Sequence, residues 1–189
     1  SLGGMIGYAY LQTHETATVR SLSTIGSPSF AHLGNWIFDV VVQLKKLVGL
    51  VERLPYEGTG RALVPALPLL KETLGRFLAN PRNVDTRAMA ELIKVLPSDL
   101  PTSLLTQLAD WYESGGFADA EGNTQYCDDL GLITTPTLVI AGEVDHLTPT
   151  QEIFHVYENL GSADKEYLCL SRANGCRHDY GHVDPVLGR

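Results

Sequence analysis

The sequence predicts an α/β protein in which a parallel sheet carries a block of inserted helices. Three short apolar or β-prone runs predict strands, at residues 18–25, 137–141 and 166–170. A helical pattern between the second and third runs is typical of the crossover that joins parallel strands. The 189 residues are enough for one domain with a sizeable core.

Turn and helix signals delimit these strands. The first run ends at a Gly-Ser-Pro turn at residues 26–28, and a helix over residues 5–11 precedes it. The second run, residues 137–141, is continuously apolar, as expected of a strand buried on both faces. After it, Thr148 and Gln151 have the spacing of a capping box, which predicts that Thr148 caps the next helix.

Amphipathic patterns predict four helices between the first and second strands. Asp85 is positioned to cap the third of them, and Gly115 to end the fourth. The apolar residues of the four helices recur at helical spacing over residues 35–52, 67–78, 89–96 and 104–111.

This block of helices divides the predicted domain. Because no strand is predicted between Phe30 and Phe117, residues 30–128 are expected to form an all-helical insertion. The core of the fold would then consist of residues 1–29 and 129–189, which carry all the predicted strands.

The composition argues against several classes of function. Lys and Arg number 14 and Asp and Glu 22, a net charge of −8 without a basic run, which argues against nucleic-acid binding. No stretch approaches the ~20 apolar residues of a membrane-spanning helix, so a soluble protein is expected. Cys127, Cys169 and Cys176 indicate neither a disulfide framework nor a zinc site. They favour a reducing compartment such as the cytoplasm, and no targeting segment is visible.

The first four residues carry a chemical motif. Ser1-Leu2-Gly3-Gly4 resembles the second half of the nucleophile elbow, G-x-S-x-G, of the α/β-hydrolase superfamily. In that motif the serine lies on a tight turn between a strand and a helix, where a glycine such as Gly3 avoids a steric clash. The resemblance implies that Ser1 is a nucleophile and that the backbone N–H of Leu2 is an oxyanion donor.

Two later loops resemble the remaining catalytic elements of this superfamily. Residues 142–149 follow a buried strand and resemble the loop of the acid, with Asp145 at the carboxylate position and Glu143 as an alternative. The loop after the last predicted strand resembles that of the general base. There His182 follows a glycine, as in the superfamily, whereas His178 shares the loop without one.

The order Ser1, Asp145, His182 is that of the catalytic triad in α/β-hydrolases. A serine hydroxyl is a poor nucleophile, so it needs an imidazole to accept its proton and a carboxylate to orient that imidazole. The resemblance therefore implies a serine hydrolase that cleaves a small-molecule carboxylic ester through an acyl-enzyme, with no cofactor and no metal.

The predicted helical insertion occupies the position of a cap or lid in this superfamily. Its large aromatic side chains would then line the substrate pocket, and the candidates are Trp36, Phe77 and Trp111. Packing within the cap is the simpler interpretation of the same side chains. They favour a lipid-like or medium-chain acyl ester without establishing it.

Three other functions fit parts of the pattern. An acyltransferase would use the same scaffold and residues. An N-terminal nucleophile hydrolase would use the amino group of Ser1 as its base after autocleavage, but such enzymes need stacked antiparallel sheets, whereas these strands alternate with helices. A non-enzymatic binding module would not need Ser1, Asp145 and His182 together.

The sequence also predicts a partner chain. An elbow serine must follow a strand, and three parallel strands leave an apolar edge open. We therefore expect a second polypeptide to carry the upstream half of the hydrolase fold, with the remaining central strands and another oxyanion donor.

Overall fold

The computed structural model of the chain describes residues 1–14, 18–30, 38–40, 42–43, 45, 53–54, 58, 65, 77, 79–95 and 99–187. In chain order, the structure delimits the α-helices and strands α1 (Leu2–Thr13), β1 (Leu22–Ile25), β2 (Arg53–Leu54), α2 (Thr86–Val95), β3 (Leu100–Pro101), α3 (Thr102–Ser114), β4 (Thr137–Gly142), α4 (Thr150–Asn159), β5 (Lys165–Leu170) and α5 (Asp184–Leu187), with short 3-10 helices at Leu130–Leu132 and Arg172–Asn174. No helix in this part is long and apolar enough to cross a membrane.

β1, β4 and β5 form one parallel sheet in the order β1-β4-β5. Leu22 of β1 lies opposite Thr137 of β4, which in turn lies opposite Lys165 of β5. The predicted parallel sheet with a helical crossover is therefore confirmed. β1 is shorter than the predicted run over 18–25 because its ladder begins where β4 begins, with the Leu22 N–H donating to the Pro136 carbonyl at 2.9 Å.

The apolar core lies between this sheet and the helices that cover it. α1 packs on β1 with Met5 and Tyr8 buried, and the Tyr8 hydroxyl forms a hydrogen bond with that of Thr24 at 2.8 Å. α4 packs on β4 and β5 through Ile153 and Val156, both fully buried. Burial of each such side chain stabilises the folded state by about 1.5–3 kcal/mol. The packed core therefore holds the strands in place, and with them the loops that follow their ends.

The described part of the insertion is not entirely helical. β2 and β3 pair in antiparallel fashion, so the expectation of no strand between Phe30 and Phe117 is wrong. Each of these strands has two residues, which is too short for the alternation of apolar and polar residues that reveals a strand in a sequence. The helices predicted over residues 35–52 and 67–78 lie mostly outside the described residues.

The helix boundaries are partly as predicted. The Asp85 carboxylate accepts a hydrogen bond from the Ala88 N–H at 2.7 Å, which confirms the cap of α2. α3 ends, as expected, at Gly115, whose φ of 75° is a left-handed conformation that favours glycine. The predicted cap of α4 is wrong, because the hydroxyl of Thr148 donates to the carboxylate of Asp145, a stronger acceptor.

Candidate active site

The loops that follow β1, β4 and β5 meet at the carboxyl edge of the sheet. Gly26 follows β1, Asp145 lies in the loop after β4, and His182 lies in the loop after β5. Ser1 reaches the same edge, because its nitrogen donates hydrogen bonds to the carbonyl of Ile25, at 3.1 Å, and to that of Gly26. The structure therefore brings the three residues singled out from the sequence to one edge of the sheet.

His182 and Asp145 are in direct contact. The Nδ1 atom of His182 lies 2.8 Å from Oδ2 of Asp145, so the ring nitrogen donates to the carboxylate. The Asp145 side chain is 1% exposed and that of His182 is 14% exposed. This bond orients the ring and leaves its Nε2 atom to accept a proton from a neighbouring group.

The Asp145 carboxylate is held largely by its own loop. Its Oδ1 atom accepts hydrogen bonds from the backbone N–H groups of Leu147 and Thr148, both at 2.9 Å. Its Oδ2 atom accepts one from the Thr148 hydroxyl at 2.7 Å. Burial opposes the charge on Asp145, but the hydrogen bonds from His182 and Thr148 and the charge on His182 hold its pKa below the ordinary value of 3.8.

Thr148 is a site residue that the capping pattern in the sequence concealed. Besides its bond to Asp145, its hydroxyl lies 3.3 Å from Nδ1 of His182 and 3.4 Å from the carbonyl oxygen of Gly26. It therefore touches both members of the Asp145–His182 pair. Its position three residues after Asp145, within the same turn, is the feature of the sequence that indicates this contact.

Close backbone contacts hold the three loops together. A side chain at Gly142 would overlap the carbonyl groups of Tyr180 and Gly181, and one at Gly26 would lie 3.0 Å from the His182 ring. Gly26 also has a φ of 55°, in the left-handed region that favours glycine. The loops approach this closely because glycine occupies both positions.

The alternative acid, Glu143, makes a different contact. Glu143 accepts a hydrogen bond from the Cys169 thiol at 3.1 Å and so contacts β5. Burial, with the neighbouring Glu143 carboxylate, raises the pKa of Cys169 to about 12. Among the described residues, the Asp145 carboxylate accepts a hydrogen bond from a ring nitrogen of His182 and none from His178.

Ser1 and His182 open onto a groove of about 940 Å³. The groove runs along the outer edge of β1, which pairs with no strand in the described part of the chain. Other lining residues come from α2 and α5, including the apolar Ala88 and Val186. The Ser1 side chain lines this groove, and its hydroxyl makes no hydrogen bond to a described residue. Leu2 is the first residue of α1, where backbone N–H groups have no acceptor within the helix.

The aromatic residues predicted for substrate binding are dispersed. Trp111 packs against Phe117 in the apolar core, with ring centroids 5.8 Å apart. Phe77 lies beside His146, in the loop of the acid, with ring centroids 6.3 Å apart. Neither Trp111 nor Phe77 is among the described residues that line the groove. Trp36 lies outside the described residues.

Comparisons with known proteins find similarity in structure alone. No protein-family model matches the sequence, and no curated protein does. An esterase from Exiguobacterium antarcticum is similar with a TM-score of 0.60 and 18% identity, over 98% of this chain and 59% of the esterase. For an α/β hydrolase from a Medee basin deep-sea metagenome library, the TM-score is 0.50 and the identity 19%, over 98% of this chain and 57% of the hydrolase. A monoacylglycerol lipase from Paleococcus ferrophilus has a TM-score of 0.51 and 14% identity, over 96% of this chain and 57% of the lipase.

These matches cover nearly all of this chain but only part of each similar structure. The chain matches over nearly its whole length but spans only 57 to 59% of the length of the three structures. At 14 to 19% identity, the similarity lies in the arrangement of strands and helices rather than in the side chains.

Proposed function

Since the chain has an α/β-hydrolase fold, we propose that it supplies the nucleophile, base and acid of a serine hydrolase that cleaves carboxylic esters. The observation that carries the proposal is the hydrogen bond between His182 and Asp145 at the edge of the sheet that Ser1 also reaches. A carboxylate that orients an imidazole near a free hydroxyl is the arrangement that activates a serine. The esterase and the lipase among the similar structures support an ester as the substrate class.

In the proposed reaction the Oγ atom of Ser1 attacks the ester carbonyl while its proton moves to Nε2 of His182. Asp145 stabilises the imidazolium that forms, and the N–H of Leu2 donates to the carbonyl oxygen as it becomes negative. The ester C–O bond then breaks, the alcohol takes the proton from His182, and the acyl group stays on Ser1. Water, deprotonated by His182, releases the acid and restores Ser1.

The amino group of Ser1 is poorly suited to act as the base instead. It donates hydrogen bonds to the carbonyls of Ile25 and Gly26 and to the Ser27 hydroxyl. Burial lowers its pKa from 8.0 to about 5, against an opposing effect of the charge on Asp145. The amine therefore binds a proton less strongly than an ordinary terminal amine and is a weaker base. The parallel sheet also differs from the stacked antiparallel sheets that an N-terminal nucleophile hydrolase requires. We therefore keep the imidazole as the base.

We also propose that further strands, supplied by a second polypeptide, pair along the outer edge of β1. In the described part of the chain β1 pairs with β4 alone, and its other edge faces the groove. About two fifths of the similar esterase lies outside the match, enough for such strands and a second oxyanion donor. Native mass spectrometry should show the complex, whereas a stable, active monomer of 20.6 kDa would contradict it.

A fluorophosphonate probe tests the nucleophile. We expect the probe to label Ser1, and Ser1→Ala to abolish labelling, because the probe reacts with activated serine hydroxyls. Ser23→Ala is the matched control, since Ser23 is exposed in the same groove and should not be activated. Peptide mapping that puts the label on Ser23 or any other serine would contradict the proposal.

For the acyl group we propose a lipid-like or medium-chain ester, which the apolar side chains of the groove would contact. The kcat/KM for p-nitrophenyl esters should then rise from the acetyl ester to medium-chain esters. Val186→Ala should change this ranking, because Val186 lines the groove, whereas Trp111→Ala should lower the stability of the fold, because Trp111 packs against the core. A preference for the acetyl ester would contradict the proposal.

A further inference from the structure

Asp184 is a buried carboxylate that the proposed ester cleavage does not use. It lies at the start of α5, two residues after His182, and is 1% exposed. Its Oδ1 atom accepts hydrogen bonds from the backbone N–H groups of Gly181, at 2.8 Å, and Asn80, at 3.2 Å. Its Oδ2 atom accepts one from Nδ2 of Asn83 at 2.6 Å. In the described part of the chain, Asp184 is thus held by uncharged N–H donors rather than by a cation.

Two of these donors come from a segment that is distant in the sequence. Asn80 and Asn83 lie just before α2, and each also donates through Nδ2 to the carbonyl of Asp179, at 2.7 and 2.8 Å. They therefore hold the loop that carries His182 on both sides, at Asp179 and at Asp184. The Oδ1 atom of Asn83 is buried without a hydrogen-bond partner in the described part of the chain.

Steric contacts also hold the His182 loop against the segment that precedes α2. A side chain at Gly181 would lie 2.8 Å from the backbone nitrogen of Asn80, so the two segments touch backbone to backbone. On the other side of His182, Val183 is partly buried against an apolar cluster. This cluster consists of Ala79, Val84 and Met89. The backbone of His182 is therefore held between a polar and an apolar contact with the same distant segment.

We infer that Asp184 is a positioning residue, which fixes the place of His182 relative to Asp145 through its bonds to Asn80 and Asn83. The inference rests on the proposed function and adds a residue to it that touches none of the reacting atoms. Because Asp145 is fixed by its own loop, the 2.8 Å bond between the pair requires the His182 loop to be positioned from elsewhere. A displacement of about 1 Å at a catalytic group can lower a rate about a hundredfold.

Asp184→Asn tests the inference with little change in shape. The new amide places an NH₂ group where the carboxylate accepted hydrogen bonds, so at least one N–H donor meets another donor. We expect kcat for a p-nitrophenyl ester to fall by about 10- to 100-fold, with KM nearly unchanged. Asn83→Ala should also lower kcat. The double variant should lose less activity than the two single losses combined, because both variants change the contact between Asp184 and Asn83.

Nitrogen-15 NMR of the histidine rings gives a readout that does not depend on activity. The Nδ1 proton of His182, bonded to Asp145, should give a downfield signal that His182→Gln removes. We expect Asp184→Asn to weaken or broaden this signal, because the ring is no longer held against the carboxylate. Asp129→Asn, at an exposed position, is the matched control and should leave the signal and kcat as they are.

The possible outcomes separate the inference from the proposed function. If the wild type neither cleaves esters nor reacts at Ser1, but Asp184→Asn still weakens the His182 signal, the proposed function fails and the positioning role stands. If Asp184→Asn and Asn83→Ala lower only the melting temperature, with the His182 signal and the kcat of the folded fraction unchanged, the inference is overturned. Should Asp184→Asn fail to fold, Asn83→Ala tests the inference instead, because it removes only the hydrogen bonds of the Asn83 side chain. The His182 signal and the kcat of the folded fraction are then measured for this variant.

Discussion

The two loops that meet in the candidate site are held in different ways. In the loop after β4, Asp145 is bonded to the backbone and the hydroxyl of Thr148, three residues further on. In the loop after β5, the turn that carries His182 is bonded through Asp184 to Asn83, 101 residues away in the sequence. The acid is therefore organised by a local turn, whereas the base is organised by the packed fold.

This difference indicates which substitutions each loop should tolerate. A local turn forms when its own residues are intact, so Asp145 should keep its hydrogen bonds from Leu147 and Thr148 in variants outside its loop. The His182 turn depends in addition on Asn80 and Asn83, which precede α2. Changes in that distant segment should therefore act on the base and leave the acid unchanged.

The largest effect is expected from removal of the base itself. His182→Ala should lower kcat for a p-nitrophenyl ester by about 10⁵- to 10⁶-fold, because Ser1 loses the group that takes its proton. Steady-state kinetics on the folded fraction, checked by circular dichroism, measure the change. His178→Ala is the matched control in the same loop and should turn over nearly as the wild type does. The reverse pattern would identify His178 as the base.

Loss of the charge on the acid should have the next largest effect. Asp145→Asn should lower kcat by about 10⁴-fold, because the amide stabilises the wrong tautomer of His182 and cannot stabilise its cation. Glu143→Gln, in the same loop, should leave kcat nearly unchanged, since Glu143 contacts the Cys169 thiol. The same kinetic assay compares the two, and equal losses would contradict the assignment of the acid.

The acid loop could be predicted from the sequence because most of what forms it is local. The apolar run of β4, the turn after it and Asp145 all lie within about a dozen consecutive residues. The role of Thr148 was missed, because the spacing from Thr148 to Gln151 satisfies a capping box equally well. Nothing in that spacing shows that a nearby carboxylate binds the hydroxyl instead.

Features that depend on distant contacts could not be predicted. β2 and β3 are two residues long and exist because they pair with each other across the insertion. Asn80 and Asn83 look like ordinary turn residues in the sequence, and only the fold brings them to Asp184. The helical pattern around Trp111 indicated an apolar face without revealing that it packs on Phe117.

The contact between the two loops gives the third prediction, an effect on stability. Gly142→Ala should lower the free energy of unfolding by about 1–3 kcal/mol, because the methyl group would overlap the carbonyls of Tyr180 and Gly181. Urea unfolding followed by circular dichroism measures this change. Gly131→Ala is the control, since a methyl group there meets only the Asn159 carbonyl oxygen, at 3.9 Å. Equal losses would mean that the loop contact is not the cause.

The smallest expected effect is on acid stability, and it belongs to the acid loop alone. Burial disfavours the charge on Asp145, but the bonds from His182 and Thr148 hold its pKa in the folded chain below 3.8. As the pH falls through the ordinary pKa, the unfolded state takes up this proton first, and stability declines until the folded pKa is passed. Asp145→Asn cannot take up the proton, so its unfolding free energy should decline less steeply as the pH falls through and below the ordinary pKa of the carboxyl group.

Urea unfolding at a series of pH values measures this slope, and the comparison is between slopes rather than between absolute stabilities. Asp129→Asn, which removes an exposed carboxylate outside the loop of Asp145, is the control for the loss of one negative charge. Parallel curves for the wild type and Asp145→Asn would contradict the prediction. In that case the bonds from Thr148 and His182 would not favour the charged form of Asp145, and the acid loop would lack the local electrostatic support that distinguishes it from the His182 loop.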